Sequence, residues 1–163
     1  MSMVVLLGPG GEATAFCVEE RRVWLDRLCG IPCARPAADT APIFAGPGEL
    51  STSIGRCEGD DWRIAKATSD GDRARIVVWQ IGGALEWEST WSVCPQTGVV
   101  RRQDVLHNRG DAAVTLLGSQ ARFVFPPATW EVYAQRSQWC GENQGAWQPL
   151  HAGAVRLGCV GGR

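Results

Sequence analysis

The stretch Ala74-Arg75-Ile76-Val77-Val78-Trp79-Gln80-Ile81-Gly82-Gly83-Ala84-Leu85-Glu86-Trp87-Glu88-Ser89-Thr90-Trp91-Ser92-Val93 decides the fold class. Its first part, through Ile81, is an apolar run rich in β-branched residues. Gly82-Gly83 is a tight-turn signal, and Ala84 to Val93 alternates strictly. Leu85, Trp87, Trp91 and Val93 fall on one face of that last strand, and Glu86, Glu88, Thr90 and Ser92 on the other, so one face is buried and one is wet. Outward from this hairpin the same grammar repeats. Ser69-Asp70-Gly71-Asp72 and Pro95-Gln96-Thr97-Gly98 are turns, 99–107 is a strand, Asn108 to Asp111 is a turn, and 112–125 is a strand with a bulge or bend near Gly118 before Pro126-Pro127. Upstream, Met3 to Leu7 and Ala13 to Val18 form a hairpin around Gly8-Pro9-Gly10-Gly11, and Val23 to Leu28 is a further strand. A helix over 18–28 is the competing reading, but Cys29-Gly30-Ile31-Pro32 would end it at once. Residues 30–48 hold Pro32, Pro36, Pro42 and Pro47 and read as a long loop. Glu49 to Gly59 reads as polar and turn-prone, and Thr129 to Ala134 as an alternating strand. Short strands at roughly 8–12-residue spacing, separated by Gly, Asn and Asp turns, predict an all-β chain, a β-sandwich of mostly antiparallel strands.

At 163 residues the chain reads as one domain, 1–163, large enough for a real core. Sixteen Lys and Arg stand against seventeen Asp and Glu, scattered along the sequence. No basic face is legible, so nucleic acid is not an expected partner. The apolar start, Met1 to Leu7, is short, lacks a basic flank and reads as a first strand, not a leader. No apolar run approaches the roughly 20 residues of a membrane span. The seven Cys form no Cys-x-x-Cys pair and have no His at metal spacing, which predicts reduced thiols, a cytoplasmic setting and no metal. Eight Trp against one Tyr is the oddity of the composition: large aromatics supply core area, or stack on the apolar faces of sugars.

Two stretches are candidate sites. Trp139-Cys140-Gly141-Glu142 suits a loop that displays an aromatic plane beside a carboxylate; alternatively Trp139 caps a sheet and Glu142 is a solvated charge. Asp61-Trp62-Arg63 offers a carboxylate, an indole and a guanidinium, to hold a sugar hydroxyl or to tie the chain down through an Arg–carboxylate pair. Arg101, Arg102, Asp104 and His107 give one strand a charged face. His107 and Asp104 do not make an acid–base pair, because residues three apart on a strand point to opposite sides. No nucleophile elbow, metal-binding His pair or phosphate-cradling Gly loop is present.

The order Trp139-x-x-Glu142, then Pro149-Leu150, Gly153 and Gly162, resembles the end of the N-terminal domain of glycoside hydrolase family 36, the microbial α-galactosidases. Arg102 followed by Asn108-Arg109-Gly110, and Asp61-Trp62-Arg63, are similar to two further elements of that domain. The resemblance implies a supersandwich of galactose-mutarotase-like shape that is a detached, non-catalytic front domain. It implies α-galactoside sugars as the parent enzyme's substrate, a missing catalytic barrel and a second copy of the chain as partners, and no cofactor. In the family, the long loop carries an aromatic and an Asp toward a galactose pocket, so Asp39 and Phe44 are candidates by region. Retaining hydrolysis needs two carboxyl groups about 5–5.5 Å apart; in the family both are Asp residues of the barrel, so no catalytic residue is expected in this chain, and an exposed apolar patch is expected where the barrel docks. A free-standing carbohydrate-binding sandwich with exposed Trp platforms is the alternative. A small mutarotase-like epimerase ranks last, since it needs a His pair and a carboxylate in one groove and a longer chain, and His107 and His151 are the only histidines.

Overall fold

The computed structural model describes residues 2–11, 13–19, 22–33, 47–58, 61–121, 123, 125–138 and 141–150. The chain is all-β, with antiparallel pairing throughout, and divides into two compact units, Met1–Pro126 and Pro127–Arg163.

In the first unit, β1 (Ser2–Leu7), β2 (Ala13–Glu19), β3 (Arg22–Leu28) and β4 (Ile31–Pro32) form one sheet in sequence order. A second sheet runs β10 (Val100–Asn108), β9 (Leu85–Val93), β8 (Arg73–Gln80), β7 (Trp62–Asp70). A small third sheet pairs β11 (Leu116–Ala121) with β5 (Pro47–Thr52) and β6 (Gly55–Cys57). The first two sheets face each other across a core of Val4, Leu6, Phe16, Val23 and Leu25 on one side and Ile76, Val78, Leu85, Trp87, Trp91 and Val93 on the other, which makes this unit sandwich-like. Phe16 meets Trp91 edge-on across the layers at 5.1 Å, and Trp62 meets Trp87 at 6.0 Å. Aromatic pairs in this geometry add stability beyond their buried area. The β8–β9 hairpin behaves as its pattern predicts: β9 is buried at every odd position and partly open at every even one. Gly71 and Gly82 take positive φ, 57° and 69°, in the turns that flank β8, where a Cβ would be strained.

Three local readings change. Part of the polar stretch 49–59 is a hairpin, β5–β6, because Leu50 and Cys57 pair across it and drop into the core while Thr52 Oγ1 donates to Gly55 O and accepts from Ile54 N, closing the turn. The strand predicted over 112–125 shrinks to Leu116–Ala121, with the bulge at Leu117; before it, Thr115 N donates to Ser53 Oγ and Ser53 N to Thr115 O. The charged residues of the strand Arg101 to His107 also do not share one face. Arg102 and Asp104 turn inward, where Ser89 Oγ donates to Asp104 Oδ1 (2.6 Å), Trp91 Nε1 donates to Ser89 Oγ (2.9 Å), Arg102 Nη2 pairs with Asp104 Oδ2 (2.6 Å), and the guanidinium sits 5.3 Å from the Trp91 ring. His107 points to the other face, opposite Glu86.

The second unit contains a hairpin, β12 (Trp130–Gln138) with β13 (Gly141–Leu150). Tyr133 and Trp147 are cross-strand partners, both exposed, with ring centroids 5.3 Å apart. Gly145 makes room for this pair: a Cβ there would collide with the Tyr133 phenol.

Candidate functional site

Directly opposed residues of antiparallel strands share a face. On the outer face of the β10-β9-β8-β7 sheet this places Arg63, Trp79, Glu86 and His107 in one row across all four strands, through the pairs Arg63–Trp79, Trp79–Glu86 and Glu86–His107. The alternation that buries Val78 and Trp87 therefore forces Trp79 and Glu86 outward. Trp79 is 58% exposed, in contrast to Trp62, Trp87 and Trp91, which are all at or below 5%.

The turns at the sheet end complete the site. Arg109 N donates to Ala84 O (2.8 Å), which carries Arg109 back over β9, and its Nη2 donates to Glu86 Oε1 (2.8 Å). Asn108 stiffens this turn, accepting from Gly110 N through Oδ1 and donating to Ala112 O through Nδ2. Gly110 passes so close to Ala84 that a Cβ would lie 2.7 Å from the alanine methyl. From the other side Trp79 Nε1 donates to Glu86 Oε2 at 2.8 Å. Glu86 is thus held by a guanidinium and an indole at once. The Arg109 hydrogen bond above all, and the Trp79 one after it, keep its carboxyl below the usual carboxylate range against the opposing effect of desolvation. Trp79, Ala84, Leu85, Glu86 and Arg109 line a cavity of about 310 Å³. One row further along the strands Glu88 accepts both Arg75 Nε and Nη2 at 2.6 Å, a bidentate pair that likewise lowers its carboxyl. Chemically, the site presents an exposed indole face fixed at its edge, a carboxylate whose ionised form is favoured, and an exposed guanidinium carried on the adjoining turn.

The sequence candidates separate. Asp61, Trp62 and Arg63 point three ways. Asp61 Oδ2 accepts from Glu58 N (2.7 Å) and its carbonyl from Ile81 N (2.7 Å), a turn-holding role; Trp62 is core; Arg63 stands in the outer row. No Arg63–Asp61 ion pair forms among the described residues, so the local tie is carboxylate to backbone. Asp39, Phe44 and Trp139 lie outside the described residues. Glu142 belongs to strand β13, not to a loop: Gln138 pairs with Gly141, and only two residues join the strands. Trp79, Glu86 and Arg109 were not singled out as a site by sequence reasoning. The signal lay in the alternation itself, since Trp79 sits between Val78 and Gln80 on the wet side of a strand whose register with β9 is set by Gly82-Gly83.

A smaller cavity of about 200 Å³ lies beside the Gly8-Pro9 and Thr97-Gly98 turns, with Thr14 and Cys29 in its wall. Thr14 Oγ1 accepts from Cys29 N, which holds Cys29 in a left-handed backbone at φ 49°. Nearby in sequence, the Thr97 side chain and the Gln96 and Thr97 amides lower the Cys94 thiol. Among the described residues no carboxylate or imidazole lines that cavity, which places the Cys29 thiol beside Thr14 and Thr97. No cluster of three metal-ligating groups exists among the described residues, nor a helix long and apolar enough to cross a membrane.

Comparison with known proteins yields no matching family model, no matching curated protein and no matching solved structure.

Proposed function

We propose that the chain is a non-catalytic carbohydrate-binding β domain that holds sugar on the outer face of the β10-β9-β8-β7 sheet. The observation that carries this reading is the exposed Trp79 plane, hydrogen-bonded at its indole edge to Glu86 and flanked by Arg109 over a 310 Å³ cavity. Sugar rings need an apolar plane for their C–H faces and charged or polar groups beside it for their hydroxyls. Glu86 accepts from a hydroxyl, and Arg109 and Arg63 donate. The same geometry disfavours hydrolysis at this site: glycoside hydrolysis needs a carboxylic acid whose pKa is raised, and the arginine partners of Glu86 and Glu88 shift both carboxyls the other way.

A second reading, the front domain of an α-galactosidase, draws on the sequence resemblance and on one feature of the surface. Met3, Val5 and Leu7 alternate along β1 and are all exposed, an apolar ridge of the kind a catalytic barrel or a second copy would cover. In that case the domain serves assembly of the parent enzyme and α-galactoside breakdown, in a homo-oligomer. Glycan-array binding by the wild-type chain and by Trp79→Ala tests the first reading. A set of glycans retained by the wild type and lost by the variant is expected; binding that survives the substitution overturns it.

A further inference from the structure

The near-zero net charge of the chain hides an uneven distribution. Extending the outer face row by row from Arg63-Trp79-Glu86-His107, the register gives Lys66-Val77-Glu88-Val105, then Thr68-Arg75-Thr90-Gln103, then Asp70-Arg73-Ser92-Arg101. With Arg109 on Glu86, the face carries six cations, Arg63, Lys66, Arg73, Arg75, Arg101 and Arg109, against three carboxylates, Asp70, Glu86 and Glu88. All six cations are exposed. Arg75 and Arg109 are matched by Glu88 and Glu86. Arg63, Lys66, Arg73 and Arg101 make no ion pair among the described residues. The scattered charges of the sequence thus converge on a basic face that composition alone does not reveal.

We infer that this face binds a polyanionic glycan, a chain of carboxylated sugars laid along the strands from Trp79 to Arg73 and Arg101. The inference rests on the carbohydrate reading above and names its substrate class. From Trp79 to Arg73 the strand runs six residues, about 20 Å at ~3.3 Å per residue, more than one sugar ring covers. The Trp79 end supplies stacking and the fixed carboxylate. The unpaired guanidiniums and the Lys66 ammonium along the way supply partners for acidic groups on successive rings, and planar guanidiniums match carboxylates bidentately. A single-stranded nucleic acid fits less well. Such sites stack successive bases on successive aromatics, whereas these four rows hold one indole and no phenyl or phenol.

The test is isothermal titration of the full chain with an oligogalacturonate, with its fully methyl-esterified and therefore uncharged counterpart, and with an oligodeoxythymidylate of similar length. The acid should bind about tenfold or more tightly than the ester at low salt, and the preference should shrink as salt screens the arginines. Arg73→Ser with Arg101→Ser should remove that preference; both side chains are exposed and unpaired, so the variant should unfold at the wild-type temperature. Equal binding of acid and ester, both lost in Trp79→Ala, would leave the carbohydrate reading standing and overturn the polyanion inference. Failure of both sugars to bind would overturn the polyanion inference, and the absence of any array glycan lost in Trp79→Ala would overturn the carbohydrate reading with it. Oligodeoxythymidylate binding at least as tight as oligogalacturonate would overturn the inference in favour of a nucleic-acid surface.

Discussion

The two faces of one sheet use the same three side-chain chemistries, an indole, a carboxylate and a guanidinium, for opposite ends. Inward, Ser89 bridges Trp91 to Asp104, Asp104 pairs directly with Arg102, and Trp91 is 1% exposed. Outward, Trp79, Glu86 and Arg109 are linked directly, and Trp79 is 58% exposed. The inner set satisfies an indole N–H that would otherwise be buried without an acceptor and anchors the sheet's edge strand β10; its geometry is closed. The outer set leaves the indole plane bare and spends its hydrogen bonds on holding that plane still. An indole, a carboxylate and a guanidinium in contact are therefore neutral as to function. Which side of the strand they occupy decides whether they stabilise or recognise.

The comparison breaks most visibly at the tryptophans. Trp91→Ala should cost about 3–5 kcal/mol in chemical denaturation, the usual loss for emptying a large aromatic site, because Phe16 and the Arg102 guanidinium both pack on that ring. Ser89→Ala should follow at about 1–3 kcal/mol, since Trp91 Nε1 would be left buried without its acceptor. Trp79→Ala should shift stability by only about 0.5 kcal/mol, as surface substitutions do, yet weaken glycan binding about tenfold or more, equivalent to ~1.4 kcal/mol. If the inner and outer substitutions moved stability equally, the two faces would not differ as claimed. The smallest effect is with pH. Because Arg109 and Trp79 hold the Glu86 carboxyl below its ordinary value of about 4.3, its contribution is complete above that value and is lost only as pH falls through the lowered folded one. A carboxyl carbon NMR titration should give Glu86 a midpoint below that of an exposed Glu, and Arg109→Ala should move it back up.

Much of this was legible beforehand and some was not. The β8–β9 hairpin, the burial of Trp87 and Trp91 and the opposite orientation of His107 and Asp104 all follow from period-two alternation, a local property. The hairpin β5–β6 escaped because its buried apolar residues Leu50 and Cys57 stand isolated among polar neighbours, too sparse a pattern to read as alternation. The site escaped for a different reason. Trp79, Glu86 and Arg109 are joined by register between strands and by a turn that folds back on Ala84, information that no single stretch contains. Asp61-Trp62-Arg63 drew attention as a contiguous motif, but adjacent strand residues face opposite ways, so contiguity worked against a shared site. The basic face was invisible for the same reason: its six cations come from three strands and a turn, and register alone brings them together.

The most direct test is the ¹H–¹⁵N spectrum of the indole N–H groups, recorded in D₂O exchange and then on adding a glycan ligand from the array. The Trp79 resonance, assigned by its absence in Trp79→Phe, should exchange quickly and move on titration, while those of Trp62, Trp87 and Trp91 exchange slowly and stay in place. A still Trp79 signal, or movement confined to the inner three, would contradict the assignment of recognition to the outer face.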